Sequence, residues 1–161
     1  MLSTVAQILR RLVVCCACAA VLASPAMRTA FAAPANGAQV ADLAQQEVGS
    51  RYAWGGTSPA GFDCTGFVLW VYAQFGVSLP HNEAGQMASG TQVAAEDLQP
   101  GDVLVFANTY RRGLSHVGIY VGDGRFVHAV DEAHGVAVSN LWDSYWGPRL
   151  VAASRVPLTT G

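Results

Sequence analysis

The apolar residues of this chain keep a helical spacing as far as Phe75 and a spacing of two from Val103 onward. Before the change, Val40, Leu43, Ala44 and Val48 recur at helical intervals with Gly49 as a stop, predicting a helix over 39–48. Phe67, Val68, Val71, Tyr72 and Phe75 form a second stripe, predicting a helix from Cys64 to Phe75 that Gly76 ends. A short polar segment after Leu79-Pro80 is suited to a helical turn beginning at Asn82. Leu98-Gln99-Pro100-Gly101-Asp102 then reads as a turn. After it come five short runs rich in β-branched residues: Val103 to Phe106, Val117 to Val121, Arg125 to Val130, Val136 to Ser139 and Leu150 to Arg155. Helices first and strands afterwards specify an α+β domain, N-terminal helices packed on an antiparallel sheet.

The N-terminus follows other rules. Met1 to Arg11 ends in Arg10-Arg11, an apolar run extends from Leu12 to Ala23, and Ala30-Phe31-Ala32 supplies an A-x-A cleavage pattern. The run falls well short of the ~20 residues a membrane-crossing helix needs. The expected organisation is a signal peptide over 1–32, a short linker over 33–38 and one domain over 39–157, exported to the periplasm, wall or exterior without a transmembrane anchor. With 161 residues there is room for one domain and one site. The formal charge is -2 and the nine basic residues form no patch, which argues against nucleic acid as a partner.

Cys15, Cys16 and Cys18 lie inside that leader, leaving Cys64 as the lone cysteine of the mature chain. Count alone leaves open whether such a thiol is buried and inert or kept for chemistry. Its position is more informative, since the first turn of a helix stabilises an anion and is expected to lower a thiol pKa. Arg51 to Phe62 is a Gly-rich loop carrying Tyr52 and Trp54, aromatics suited to a pocket wall. Of the four histidines, His81 and His134 are read as structural or solvated.

His116 and His128 sit on consecutive strands of one hairpin. With a three-residue loop, Gly122-Asp123-Gly124, Val121 pairs with Arg125, His128 lies opposite Gly118, and the two histidines share a face. With a two-residue loop they point apart. An odd-length loop is therefore expected. Cys64 would attack a carbonyl carbon, His116 would act as general base and acid, and His128 would orient it. The Cys64 amide and the Tyr52 hydroxyl are candidate oxyanion donors. Metal spacings such as C-x-x-C or H-x-x-x-H do not occur, so no metal or cofactor is expected.

Five strings occur in order along the chain: Tyr52-Ala53-Trp54-Gly55-Gly56, Gly61-Phe62-Asp63-Cys64-Thr65-Gly66-Phe67, Pro100-Gly101-Asp102, His116-Val117-Gly118-Ile119-Tyr120 and Val127-His128-Ala129. In this the sequence resembles the NlpC/P60 family of bacterial cell-wall cysteine peptidases. The resemblance implies a papain-like fold, a Cys-His-His triad on Cys64, His116 and His128, and Tyr52 near the oxyanion. It also implies peptidoglycan stem peptides as substrate, usually cut between γ-linked D-glutamate and a diamino acid. In relatives that recognise a free N-terminal alanine, the residues flanking the nucleophile help bind its amine, which carries over to Asp63 and Thr65. Thr65 stands where Ser is commoner, and His81 follows Pro80 where Arg is frequent. The alternatives are an amidase or acyltransferase on the same fold, or an inactive wall-binding protein that retains it.

Overall fold

The computed structural model describes residues 36–158. The expected signal peptide, and all of the linker before Asn36, lie outside the described residues.

Helix α1 (Gly37–Gln46) starts two residues earlier than the apolar spacing predicts. The reason is local. Asn36 and Gln39 form a reciprocal capping box, each side chain accepting from the other's backbone amide, at 3.1 and 2.9 Å. Val40, Ala41 and Ala44 are the residues it buries. A two-stranded hairpin follows, β1 (Thr57–Ser58) with β2 (Gly61–Phe62), and leads directly into α2 (Cys64–Ala73). Asp63 caps α2 by accepting from the Gly66 amide at 2.6 Å. Seven of its ten residues are buried, so α2 is a core helix rather than an amphipathic one. Helix α3 (Glu83–Ala88) is capped by Asn82, as the polar segment predicts.

The sheet contains β3 (Thr91–Gln92), β4 (Val103–Ala107), β5 (Leu114–Gly122), β6 (Arg125–Ala129), β7 (Val136–Asn140) and β8 (Leu150–Arg155). Its spatial order is β3-β8-β4-β5-β6-β7, with every neighbouring pair antiparallel. The alternation of side chains gives it two cores. Val103, Val105, Val117, Ile119 and Val127 face α1 and α2, whereas Leu104, Phe106 and Phe126 pack with Leu141 and Trp146 on the other face. Among the described residues no helix is long and apolar enough to cross a membrane.

The β5–β6 connection differs from expectation in an instructive way. The loop is the two-residue one, Asp123-Gly124, with φ of 52° and 67° at its two positions. Gly122, not Val121, pairs with Arg125, and the ladder slips by one residue between Tyr120 and Gly122. This bulge supplies the extra residue that an odd loop would have supplied. Beyond it, Tyr120↔Phe126 and Ile119↔Val127 continue in the register that puts both histidines on one face.

An ion pair ties the end of β8 to the turn before β4. Arg155, closing β8, donates through Nε and Nη2 to Asp102 at 2.8 Å each, and the buried Asp102 carboxylate also accepts from the Gln99 amide at 2.7 Å. Arg155→Leu strands this carboxylate and is expected to cost about 2–3 kcal/mol. Urea unfolding checks this, as a lower midpoint with an unchanged slope.

Candidate active site

Cys64 is the first residue of α2 and only 6% exposed. Backbone packing fixes the loop before it against the helix. Ala53 and Phe62 are joined by Ala53 N–H to Phe62 O at 2.9 Å, and the Asp63 amide donates to Gly56 O at 3.0 Å. The approach is so close that a Cβ on Gly66 would lie 2.0 Å from the Gly56 oxygen, which only glycine avoids. Tyr52 and Trp54 are thereby held in the cleft beside Cys64.

The β5–β6 ladder ends at Ile119↔Val127, and past that point the Val117 amide comes near enough to the Cys64 thiol to favour its anionic form. The thiol is thus one residue from His116. Sequence position predicts a lowered thiol pKa, but the structure reverses it. Burial, followed by the nearby Asp63 and Glu83 carboxylates, pushes the thiol up to about 12, while the Val117 and Thr65 amides pull the other way. The Gly66 amide in the first turn of α2 is already committed to Asp63, whose charge opposes a second anion beside it.

His116 and His128 meet edge to face, with Nε2 of His116 and Nδ1 of His128 2.7 Å apart. Nε2 of His128 lies 2.9 Å from Ser139 Oγ. Trp146 packs against both rings at centroid distances of 5.1 and 4.8 Å, and Phe126 stacks on His128 at 4.5 Å. Gly118 makes room, because a Cβ there would meet the Phe126 ring at 2.7 Å. Burial lowers His116 to about 4; burial and then His116 hold His128 well below its ordinary value. Both rings are therefore neutral at neutral pH. Two opposite proton orders satisfy the row; in the one that provides a base, His128 Nε2–H donates to Ser139, His116 Nε2–H donates to His128 Nδ1, and His116 Nδ1 is unprotonated. That nitrogen is a base.

The cleft over Cys64 has a volume of about 240 Å³. Tyr52 is pushed up to about 12 by burial and by the anionic forms of Cys64 and Asp63, so its hydroxyl remains a donor. Thr65 donates to Asp63 at 3.0 Å, and His81, expected to be structural or solvated, lines the cleft with Nε2 at 3.0 and 3.1 Å from the two Asp63 oxygens. His134 is exposed and bonds Asp131 at 2.7 Å, as expected. Trp54 stands 74% exposed on the rim, edge-on to Tyr110. A larger hollow of about 600 Å³, bordered by Asn36 and Leu158, shares no lining residue with this cleft.

Residues 49–155 match the family model described as NlpC/P60 family. The chain belongs to the NlpC/P60 family. Over 113 residues it is 45% identical to a protein of Listeria seeligeri named probable endopeptidase p60, covering 70% of this chain and 21% of that one. It is 41% identical over 118 residues to the gamma-DL-glutamyl hydrolase of Bacillus subtilis (strain 168), covering 72% and 28%. The crystal structure of the NlpC/p60 domain of the peptidoglycan hydrolase SagA superposes with a TM-score of 0.66 at 31% identity, over 76% of this chain and all of that one. The chain thus spans about a fifth to a quarter of these two curated relatives and the whole of the solved domain. Its α+β fold is that of NlpC/P60 domains.

In this NlpC/P60 domain, sequence reasoning did not single out Ser139, Trp146, Glu83, Tyr110 or Arg111. Ser139 carries a legible signal, since it lies on the strand next to His128. Tyr110 and Arg111 carry none, because an irregular loop has no period to read.

Proposed function

We propose that this domain is the catalytic unit of an exported cysteine endopeptidase that hydrolyses peptidoglycan stem peptides between γ-linked D-glutamate and the following diamino acid. The observation that carries the proposal is the row from Ser139 through His128 to His116, the residue before Val117, whose amide acts on the buried Cys64 thiol at the cleft floor; in one proton order the row leaves His116 Nδ1 free to serve as base. The gamma-DL-glutamyl name of the Bacillus subtilis relative supports the choice of bond. The A-x-A pattern ending at Ala32 supports export.

Cys64 and His116 begin as a neutral pair. As Sγ attacks the γ-carbonyl carbon, its proton passes to His116 Nδ1, and the C=O electron pair moves to oxygen. The Cys64 amide and the Tyr52 hydroxyl donate to that oxyanion. When the intermediate collapses, the C–N bond breaks and the leaving amine takes the proton from His116. A thioester remains. Water then gives its proton to His116 as its oxygen attacks the thioester, and the departing sulfur regains that proton. His128 keeps the imidazole oriented throughout and stabilises its charged form by accepting from Nε2–H.

The test is digestion of defined stem tripeptides and tetrapeptides, with products identified by mass spectrometry. Release of the fragment beginning with the diamino acid is expected. Intact stems alongside a Cys64 that alkylates readily would instead favour a different acyl substrate, as for an amidase or acyltransferase.

A further inference from the structure

Among the described residues, the acidic and basic side chains that line the cleft are Asp63, Glu83, His81 and Arg111, and their hydrogen bonds distinguish them. Asp63 is saturated, accepting from the Gly66 and Gly55 amides and the Thr65 hydroxyl and meeting His81 through both oxygens. His81 spends Nε2 on that contact. Glu83, with its side chain 11% exposed, accepts from Arg111 Nη2 at 2.9 Å.

Arg111 is different. It projects from the loop between β4 and β5, which is closed by the Asn108 amide to Gly113 O at 2.9 Å and by the Gly113 amide to Asn108 Oδ1 at 3.0 Å. Its Nε donates to Tyr110 Oη at 3.3 Å, and Tyr110 sits against Trp54 across the rim. The loop therefore spans the cleft, from Trp54 on one wall to Glu83 on the other. A guanidinium has five N–H groups in a planar fork. Here Nε and Nη2 are oriented, the side chain is 49% exposed, and among the described residues Nη1 has no partner.

We propose that Arg111 is the residue by which this cleft selects a free carboxylate next to the scissile bond. The inference rests on the substrate class proposed above. A γ-linked glutamate is joined through its side chain, so its α-carboxylate remains free. Only the α-carbon and two methylenes separate that carboxylate from the attacked carbonyl, so it lies in the cleft that holds Cys64. Among the described residues Arg111 is the one permanent cation lining it, and a planar fork matches a carboxylate. Glu83 keeps the fork aimed between turnovers. An amidated stem presents a neutral carboxamide to the same group and forfeits the charge.

Binding tests this independently of catalysis. The Cys64→Ala protein is titrated calorimetrically with a stem tripeptide carrying the free α-carboxylate and with the same peptide amidated at that position, before and after adding Arg111→Gln. Arg111→Gln/Glu83→Gln repeats the comparison without a stranded buried carboxylate. The acid is expected to bind about 10- to 100-fold more tightly than the amide when Arg111 is present. Both variants are expected to bring the two peptides close to parity. Equal binding of acid and amide by the Arg111-containing protein overturns the proposal, as does a preference that survives Arg111→Gln or a failure to bind either peptide. If wild-type protein cleaves the stems without preference, Arg111 loses this role and the endopeptidase reading stands; if it binds with preference but does not cleave, the reverse holds.

Discussion

The His116→Ala variant is expected to lose about 10²–10⁴-fold in kcat on a stem peptide, with KM little changed. The imidazole contacts His128, Trp146 and Phe106, and its charge is needed only while the proton is in transit. Ground-state binding therefore does not depend on it. With the thiol pushed up to about 12 and the imidazole held down near 4, the free protein stores no thiolate–imidazolium pair. Removing the base leaves a thiol that is almost entirely protonated at neutral pH. His128→Ala is expected to fall in the same direction by less, since the base survives but its tautomer and orientation are no longer fixed. Steady-state kinetics on one defined stem measure both; a His116→Ala protein that turns over at the wild-type rate would remove the base from this position.

Acid is expected to unfold the domain far more easily than neutral pH. His116 falls from an unfolded value of 6.5 to about 4 in the folded protein, and burial, followed by His116, holds His128 well below its ordinary value. A group with a depressed histidine pKa binds its proton in the unfolded chain first. Its contribution is thus complete above pH 6.5 and is lost progressively as pH falls toward 4. For His116 alone the full shift is worth about 3 kcal/mol, a large part of a small domain's stability. Urea midpoints at pH 7 and pH 4.5 should therefore differ strongly, and the difference should shrink in His116→Asn/His128→Asn. Equal midpoints in the wild-type protein would mean that these rings are not held neutral by burial.

The change of period after Pro100-Gly101-Asp102 was enough to read the architecture, because buried strands and a buried helix leave different apolar spacings. Five of the six strands of the main sheet appear near their expected positions. The sixth, Thr91–Gln92, is two exposed polar residues and leaves no apolar trace. Register was harder. Asp123-Gly124 correctly signals a two-residue turn, yet the bulge before it is set by pairing across the strands, which a local rule does not see. The thiol pKa failed for a similar reason: the helix N-terminus is visible in sequence, whereas the burial of Cys64 and the approach of Glu83 from another helix are tertiary facts. His81 illustrates the same limit, since its place in the cleft depends on where Pro80 and α3 bring it against Asp63.

The most direct measurement is mass spectrometry of the protein itself during turnover. Wild-type protein mixed with a defined stem peptide, acid-quenched and digested, should carry the γ-glutamyl fragment as a thioester on the peptide containing Cys64, while the Cys64→Ala protein carries no adduct and releases no product. Stem cleavage by Cys64→Ala at the wild-type rate would contradict the account.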